Sequence, residues 1–318
     1  MNKFFIAFLS AAMFGSLNAS KALADVTVDQ LKAEADAQYS LRDYNPPGIE
    51  HAKAALAKFQ QLQTMTTDQD QLAQATLGVA KSLYFIGDSM DDQAQKKAIF
   101  LQGMAAADAV LKNYGIANTD VATLTPALAQ DLTARFSKNK LKSDILAEAL
   151  YQKAGNLGQW GQTDVVGALF RWPELKNIAD FITKISYAAK DKDGKDILVP
   201  YTSLHDYAPY RIVGRGYFVI PEFLGGDKKK SEQYFAVAVK GTIAVDASGK
   251  TLTFSYNGYN NNYYADTLRA VGKTQQAKDL LTAFVAADLK NAKIFPNQDE
   301  MADLVKTQKI ARDTLSKL

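Results

Sequence analysis

The sequence predicts an all-α protein in which antiparallel helix pairs stack into a curved superhelix. Apolar residues recur at every third or fourth position through most of the chain, as on one face of a helix. Glycine, proline, aspartate and asparagine interrupt these stretches at helix-length intervals, which predicts turns between helices. Small residues, as in "QGMAAADAVL", allow neighbouring helices to approach closely.

One segment has the alternation of a strand instead. In "TIAVDASGKTLTFSY" a Ser-Gly turn separates two β-branched runs, so a small β-hairpin insertion near 242–256 is expected, with a plain loop as the alternative.

The first residues have the pattern of a cleavable export signal. Lys3 is followed by the apolar run "FFIAFLSAAMFGSL", and "ALA" at 22–24 is a small-x-small cleavage site. Residues 1–24 are therefore expected to be a signal peptide, and 25–318 a single helical domain in the periplasm. No later segment approaches the roughly 20 apolar residues of a membrane-spanning helix.

Composition removes several classes of function. The chain has 318 residues, 47% hydrophobic and 22% charged, which is typical of a globular protein. It has no cysteine, so disulfides, thiolate metal sites, a cysteine nucleophile and a lipid anchor on cysteine are excluded. A net charge of +3 gives no basic footprint for nucleic acid.

The helices follow in order. The first pair is "TVDQLKAEADAQYSL" and "GIEHAKAALAKFQQL", linked by "RDYNPPG", in which Pro47 can open the second helix. Later helices are expected at 69–86, 91–113, 125–137, 143–155, 173–188, 206–220, 228–240, 260–271, 274–288 and 297–317. The segment "KDKDGKDILVPYTSLH" is expected to be a surface loop. Residues 25–155 form the N-terminal part of the domain and 156–318 the second part.

The stretch "VIPEFLGGDKKKSEQYFAVAV" in the second part is expected to form a turn between two helices. Pro221 disfavours helix at the residue before it, and Gly225 and Gly226 can take positive φ and reverse the chain. Asp227 is expected to cap the next helix.

A second joint of the same kind lies at "YYADTLRAVGKTQQAKDLL". Gly272 breaks the chain, and Ala277 and Leu281 repeat the small and large apolar positions of Ser231 and Phe235. This is the pattern of a tetratricopeptide repeat. The spacing of the two joints exceeds the roughly 34 residues of a plain repeat, so an insertion, 242–256, must lie between them.

These residues resemble a known family. The Arg-x-x-Gly-Arg segment, the following proline and the Gly-Gly-Asp joint of "YAPYRIVGRGYFVIPEFLGGDKKKSEQYF" look like the T component of tripartite ATP-independent periplasmic (TRAP) transporters. The segments "GNLGQWG" and "YNNNYYADTLRAVGKTQQA" are similar to the flanking repeats of that family. The resemblance covers about residues 155 to 290.

The resemblance implies a periplasmic helical protein whose repeats curve around a groove or pore and which associates with a solute-binding protein of the transporter. Members of the family are often lipoproteins, whereas this chain has no cysteine to acylate. A periplasmic repeat scaffold unconnected with transport remains an alternative.

Catalytic groups are sparse. The chain has two histidines, and no G-x-S-x-G motif occurs. His51 is expected on an amphipathic helix surface, and His205, beside Asp206, at a helix start with a capping role. In "DKDGKD" the glycine is misplaced for an EF-hand, so a solvated turn is favoured over a calcium site. We predict no metal or other cofactor and no enzymatic activity.

Aromatic and basic residues give the candidate ligand site. Aromatics concentrate in the part that resembles the family: Trp160, Trp172, Tyr207, Tyr210, Tyr217, Tyr263 and Tyr264. Arg211 and Arg215 are one helical turn apart, so they can clamp a carboxylate; salt bridges to Glu222, Glu174 or a helix C-terminus are the alternative. The set predicted to bind a ligand is Trp160, Tyr207, Arg211, Arg215, Tyr217 and Tyr263. Lys228–Lys230 is expected to be only a solvated face.

The leading hypothesis is a non-enzymatic periplasmic binding or scaffold protein that acts with a TRAP-type solute-binding protein and holds a small organic acid or an apolar ligand. A homo-oligomer is left open. The alternative is a periplasmic enzyme acting on cell-wall glycan, which would need a catalytic glutamate such as Glu148 or Glu174.

Overall fold

The computed structural model describes residues 27–116, 124–297 and 300–318. The predicted export signal, 1–24, lies outside these residues. The described part of the chain forms twelve α-helices and two small two-stranded antiparallel sheets. The all-α prediction with a small β insertion is therefore confirmed.

The N-terminal half contains six helices, each begun by an N-cap side chain that accepts a hydrogen bond from a first-turn N–H. The caps are Thr27, Asn45, Asp68, Asp92, Thr125 and Asn139. The helices are α1 (Val28–Ser40), α2 (Pro46–Met65), α3 (Gln69–Asp88), α4 (Gln93–Asn113), α5 (Pro126–Phe136) and α6 (Lys140–Thr163).

The second half contains six more helices and two one-turn 3-10 helices at Tyr201–Ser203 and Glu222–Leu224. The α-helices are α7 (Val165–Ile182), α8 (Leu204–Val219), α9 (Lys228–Gly241), α10 (Gly258–Ala270), α11 (Thr274–Ala286) and α12 (Met301–Leu315).

The prediction of a helix over 173–188 is wrong at both ends. Asp164 Oδ1 accepts a hydrogen bond from Gly167 N at 2.8 Å, so the cap lies well before Pro173. Pro173 lies inside α7 and does not begin it. The helix ends at Ile182 because the chain then enters a strand.

The prediction of a surface loop after α7 is also wrong, because the chain forms a β-hairpin there. β1 (Ser186–Lys190) and β2 (Asp196–Pro200) form an antiparallel hairpin in which Ala188 pairs with Leu198. "DKDGKD" makes its turn: Asp191 Oδ1 accepts from the N–H groups of Asp193 and Lys195 at 2.8 and 2.9 Å. The charges of this turn hid the alternation of the strands beside it.

The second hairpin lies where the sequence placed it. β3 (Ile243–Val245) pairs antiparallel with β4 (Thr251–Ser255), with an irregularity in the register between Ile243 and Val245. The expected hairpin near 242–256 is confirmed.

Each helix packs on the next in the chain, except that α4 packs on α6 across the short α5. The helices form a curved stack whose apolar clusters follow one another along the chain. One cluster joins α1 to α3, the largest joins α3 to α8, and another joins α10 to α12.

The two predicted joints are built from small residues. Ile220 is extended, Gly225 has φ of 95°, and Asp227 accepts from the N–H groups of Lys229 and Lys230. Gly226 does not take positive φ. Glycine is required there because a Cβ atom would lie 1.8 Å from the carbonyl oxygen of Ile220.

The small positions lie at helix contacts. Ser231 is fully buried, and its Oγ donates to Gly214 O at 2.8 Å and lies 3.1 Å from Thr267 Oγ1. Ala277 and Leu281 are fully buried at the next joint. A larger side chain at either small position would push adjacent helices apart.

No helix in residues 27–116, 124–297 or 300–318 combines the length and the apolar character needed to cross a bilayer.

Candidate functional site

A central cavity of about 1140 Å³ lies inside the curve of the helix stack. Side chains from α1, α3, α6, α7, α8, α10 and α12 line it, so both halves of the chain contribute to its walls. Its volume exceeds that of a typical small-molecule pocket, which is about 300–1,000 Å³.

The walls divide into a polar and an apolar half. Near α7 and the end of α8, the lining is mostly apolar, with Arg171 and Arg215 as charged members; the apolar side chains are Leu169, Trp172, Leu175, Ile212 and Val219. Near α3, α6, α10 and α12 it carries tyrosines and ionisable groups, including Tyr84, Glu148, Tyr151, His205, Tyr259 and Glu300. Such a division suits an amphipathic ligand.

The structure brings three of the six predicted ligand residues to this cavity. Arg211, Arg215 and Tyr263 line it. The guanidinium carbon of Arg215 lies 4.6 Å from the centre of the Tyr263 ring, in a cation–π contact.

The other three predicted residues are not part of its lining. Trp160 is only 7% exposed, packs in the core of α6, and has an indole N–H without a hydrogen-bond partner among the described residues. Tyr217 packs edge-on against Trp172, with ring centres 5.4 Å apart. Tyr207 packs over Gly241, where a Cβ would meet its ring at 2.2 Å.

Both arginines also have partners within the chain. Arg215 Nη1 lies 3.3 Å from Asp266 Oδ2. Arg211 donates to the carbonyl oxygens of Asp206 and His205 and to Asn260 Oδ1, at 3.3, 3.4 and 3.0 Å. None of these is among the partners the sequence suggested: Asn260 and Asp266 belong to α10, which is distant in the chain, and the carbonyl groups of His205 and Asp206 are exposed to Arg211 only by the unusual start of α8.

The backbone at the start of α8 is strained. His205, Asp206 and Tyr207 have φ of 44°, 58° and 63°, so three consecutive residues with side chains adopt the left-handed conformation. Each costs about 1–2 kcal/mol relative to right-handed backbone. We refer to His205–Tyr207 as the left-handed turn.

Hydrogen bonds from α8, α10 and neighbouring loops hold this turn. Arg211 and Asn260 donate to the carbonyl oxygens of His205 and Asp206. The Asp206 carboxylate accepts from three side chains at 3.1–3.2 Å: Tyr256, Asn257 and Asn297. Strained backbone of this kind persists only where its surroundings fix it, and it often lies at binding sites.

The turn places His205 against Glu148 of α6. Nε2 of His205 lies 2.5 Å from Oε2 of Glu148, and the imidazole stacks on Tyr151 with ring centres 4.2 Å apart. The expected capping role of His205 is wrong, because its side chain points to α6 and not to the first turn of α8.

The pair shifts the pKa of both members. Burial would lower the pKa of His205, but the attraction of Glu148 outweighs it and the pKa is raised. Burial would raise the pKa of Glu148, but the charge of His205 and hydrogen bonds from His205 and Gln152 outweigh it, so that pKa is lowered. The two pKa shifts both favour the charged forms, an imidazolium beside a carboxylate, at the cavity wall.

A second carboxyl group behaves in the opposite way. Burial, together with the nearby carboxylates of Asp206 and Asp303, raises the pKa of Glu300 to about 7, against the attraction of His205 and Arg211. Among the described residues no side chain hydrogen-bonds to the Glu300 carboxyl group.

Residues from the two ends of the chain meet beside the cavity. Asp303 of α12 accepts from the hydroxyls of Tyr44 and Tyr259 at 2.9 and 3.0 Å, and Arg42 lies 3.6 Å away. Lys306 of α12 lies 2.6 Å from Asp88 at the end of α3. We call Arg42, Tyr44, Asp88, Tyr259, Asp303 and Lys306 the clasp.

Several tyrosine hydroxyls at the cavity donate no hydrogen bond to another described residue. The hydroxyls of Tyr151 and Tyr263 make no hydrogen bond to another described residue, and that of Tyr84 accepts from Gln159 at 3.1 Å. These groups can donate to a ligand.

Sequence reasoning missed most of the polar half. Glu300, Tyr151 and Tyr84 come from separate helices, and each has the spacing of an ordinary amphipathic position. Glu148 was named only as a candidate catalytic glutamate, without its partner His205. A signal for the pair was the unusual "LHDY" segment, where a histidine and an aspartate precede a proline-containing helix.

Comparison with known proteins identified no related sequence. The chain matches no family model, and no curated protein is significantly similar to it in sequence. The functional argument below therefore depends on the cavity and on the residues around it.

Proposed function

We propose that this protein is a non-enzymatic binding protein that holds a small amphipathic organic ligand with an acidic group in the central cavity. The observation that carries the proposal is the cavity itself, about 1140 Å³ in volume, with one apolar and one polar half. A concave, largely apolar cavity with a few convergent polar groups is the usual form of a small-molecule site, and this one has room for a ligand of more than ordinary size.

The contacts suggest how a ligand lies. An acidic group of the ligand would accept hydrogen bonds from the guanidinium of Arg215. That guanidinium is now 3.3 Å from Asp266, and both side chains are partly exposed. The hydroxyl of Tyr263, beside it, can donate to the same group. The apolar part would then lie along Leu169 and Leu175 and cover Trp172. Arg211 supports the site indirectly, because its donors hold the left-handed turn.

The biological setting follows from the sequence resemblance. The resemblance to the T component of TRAP transporters supports a periplasmic protein of tetratricopeptide type that contacts a solute-binding protein. A homo-oligomer is compatible with this role. Affinity capture from periplasmic extract, with the captured proteins identified, tests it: recovery of a transporter solute-binding protein supports the role, and a capture without one contradicts it.

Ligand binding is tested with the two tryptophans. Trp172 lines the cavity and Trp160 does not, so fluorescence of a Trp160→Phe variant reports on the cavity alone. Titration with monocarboxylates of increasing chain length should change the Trp172 signal with saturation. Arg215→Gln should weaken binding by about tenfold, since a charge-assisted hydrogen bond contributes about 1.5–3 kcal/mol.

The matched control is Arg135→Gln, which removes an exposed arginine paired with Asp131 far from the cavity. An unchanged Trp172 signal with every acid, together with the absence of a copurified small molecule in native mass spectrometry, would contradict the proposal.

One observation favours a second candidate function. Glu148 has a lowered pKa and Glu300 a pKa of about 7, and both face the same cavity. A pair of carboxyl groups with opposite shifts is the arrangement of general acid–base catalysis, as in enzymes that cleave glycans. Turnover of purified peptidoglycan that is lost in Glu300→Gln would support this function, and an inert wild-type protein would exclude it.

A further inference from the structure

Exposed apolar side chains concentrate at one end of the α7–α8 pair. Trp172 of α7 packs against Gly216 and Tyr217 of α8, so the first turns of α7 lie beside the last turns of α8. Phe170 is 81% exposed there, and Phe223, in the 3-10 turn after α8, is 86% exposed. The exposed members of this apolar end are Val165, Val166, Phe170, Val219, Phe223 and Leu224.

The apolar end is continuous with the apolar half of the cavity. Val165 and Val219 are exposed at the surface and also line the cavity. Their neighbours Ala168 and Ile220 line the cavity as well. These side chains therefore join the exposed apolar surface to the apolar lining of the cavity, which gives the apolar body of a ligand a route between them.

Lysines border the apolar end. The ammonium group of Lys228 lies 4.4 Å from the centre of the Phe218 ring and donates to the carbonyl oxygen of Phe218. That of Lys230 lies 5.5 Å from the centre of the Tyr217 ring. Lys229 between them is exposed.

The acidic groups nearby are mostly engaged. Asp227 accepts two backbone hydrogen bonds at the start of α9 and lies 3.8 Å from the ammonium group of Lys230, and Asp164 pairs with Lys97. Glu222 remains as a carboxylate on the 3-10 turn. With three lysines against Asp227 and Glu222, the border of the apolar end has a small net positive charge, and the exposure of Lys229 and Lys230 agrees with the solvated face that the sequence predicts.

We propose that the apolar end binds the surface of an anionic lipid bilayer, with Phe170 and Phe223 inserted among the acyl chains and Lys228–Lys230 at the headgroups. Exposed aromatics flanked by lysines are typical of proteins that lie on membranes. The inference rests on the proposed function and deepens it: the ligand is an amphiphile taken from, or delivered to, that bilayer.

The shape of the end favours a bilayer over a protein partner. Phe223 lies at the tip of a single turn ended by Gly225, and its side chain stands almost free of the molecule. A protein partner would need a deep pocket for such a tip, whereas fluid acyl chains adapt to it. Lys228 and Lys230 hold their ammonium groups near aromatic rings at the edge of the apolar end, and Lys229 between them is exposed to an approaching headgroup.

The test is sedimentation of the purified full chain with vesicles of phosphatidylcholine alone and of phosphatidylcholine with 30 mol% phosphatidylglycerol, on the order of physiological surface charge. Binding is expected to the anionic vesicles. Phe170→Ser with Phe223→Ser should abolish it, and Lys228→Gln, Lys229→Gln and Lys230→Gln together should lower it by about tenfold or more. Val305→Ser with Ile310→Ser, two exposed apolar residues of α12, is the matched control and should bind as wild type does.

Two results would overturn the inference. One is wild-type protein that stays in solution with both kinds of vesicle. The other is a dimer that the phenylalanine variant converts to monomer in sedimentation velocity, since a second copy would then cover the apolar end. The proposed function fails separately: vesicle binding without any Trp172 response to soluble acids would leave the membrane contact standing and remove the ligand.

Discussion

The hydroxyl oxygen of Tyr44 lies 2.9 Å from Oδ1 of Asp303, although the two residues are 259 positions apart in the chain. The same hydroxyl lies 2.8 Å from Oδ2 of Asp88. Tyr44 has one proton and cannot donate to both carboxylates at once, and Tyr259 supplies a second donor to Asp303. The helix stack is therefore closed on itself by shared hydrogen bonds at the side of the cavity.

This closure is polar. Its contacts run between polar and charged side chains: Tyr44 and Tyr259 donate to Asp303, and Lys306 pairs with Asp88. The charged side chains of the clasp are only 8–27% exposed, and removing one partner of a largely buried pair leaves the other uncompensated. We therefore expect the clasp to hold α12 against the N-terminal helices.

Opening of the clasp can be measured because the chain has no cysteine. Glu50→Cys on α2 and Lys309→Cys on α12, both exposed, carry spin labels for distance measurement by double electron–electron resonance. We expect one narrow distribution in the parent and a broader, longer one in Asp303→Ala, which loses the acceptor of Tyr44 and Tyr259.

Asp313→Ala is the matched control, since Asp313 is an exposed aspartate on the same helix. If Asp303→Ala left the distance distribution unchanged, the clasp would not determine the closure of the ring.

The left-handed turn makes a prediction about stability. Asp206→Ala removes the carboxylate that accepts from Tyr256, Asn257 and Asn297, while φ of 58° remains unfavourable for alanine. We expect a loss of about 2–4 kcal/mol in the free energy of unfolding, from strain and from donors left unpaired. Urea denaturation measures it.

Asp206→Asn is the informative companion. Asparagine tolerates left-handed backbone and keeps one acceptor oxygen, so it should lose less than half as much. Equal losses in the two variants would mean that the conformation of the turn contributes nothing and that only the charge matters.

The fold was predictable where local chemistry decides it. Asp227 caps α9 and Gly225 takes positive φ as the "GGD" joint indicates, because caps and turns depend on residues close in sequence. The hairpin of β1 and β2 was missed because the charges of its turn outweighed a short alternating pattern.

The site was predictable only in part for a related reason. Arg211, Arg215 and Tyr263 were identified from one helix face and from composition, and they line the cavity. Glu300 depends on α12 meeting α8, and no local pattern encodes that contact. Its pKa of about 7 follows from burial and from two carboxylates brought near it by the fold.

The small residues at the joints should resist enlargement. Ala277 is fully buried at the start of α11, against α10 and α12. Ala277→Leu should cost about 1–3 kcal/mol in the free energy of unfolding, since the added methylene groups have no space to occupy. Thermal unfolding should show it, while Ala283→Leu, at a partly buried position of the same helix, should change stability by less than half as much.

The last prediction concerns the pH dependence of stability, which should have opposite directions for Glu300 and Glu148. The pKa of Glu300 is raised to about 7, so the folded state favours its protonated form. The contribution of Glu300 to the free energy of unfolding is fully present below the ordinary pKa of a glutamate, and it is lost as pH rises through about 7. Glu300→Gln, which keeps the neutral form, should therefore raise Tm at pH 8 by about 2–4 °C, the effect of roughly 1 kcal/mol in a domain of this size, and change it little at pH 5.

Glu148 behaves in the reverse way, because His205 lowers its pKa. Its contribution is present above the ordinary pKa of a glutamate and is lost only as pH falls through the lowered value. Glu148→Gln should therefore lower Tm at pH 5 and at pH 6, where His205 is protonated and paired. Calorimetric scans of both variants from pH 5 to pH 8 measure the two trends. Parallel curves for Glu300→Gln and the parent would show that Glu300 is ionised in the folded protein, and the assignment of a neutral carboxyl group at the cavity wall would be wrong.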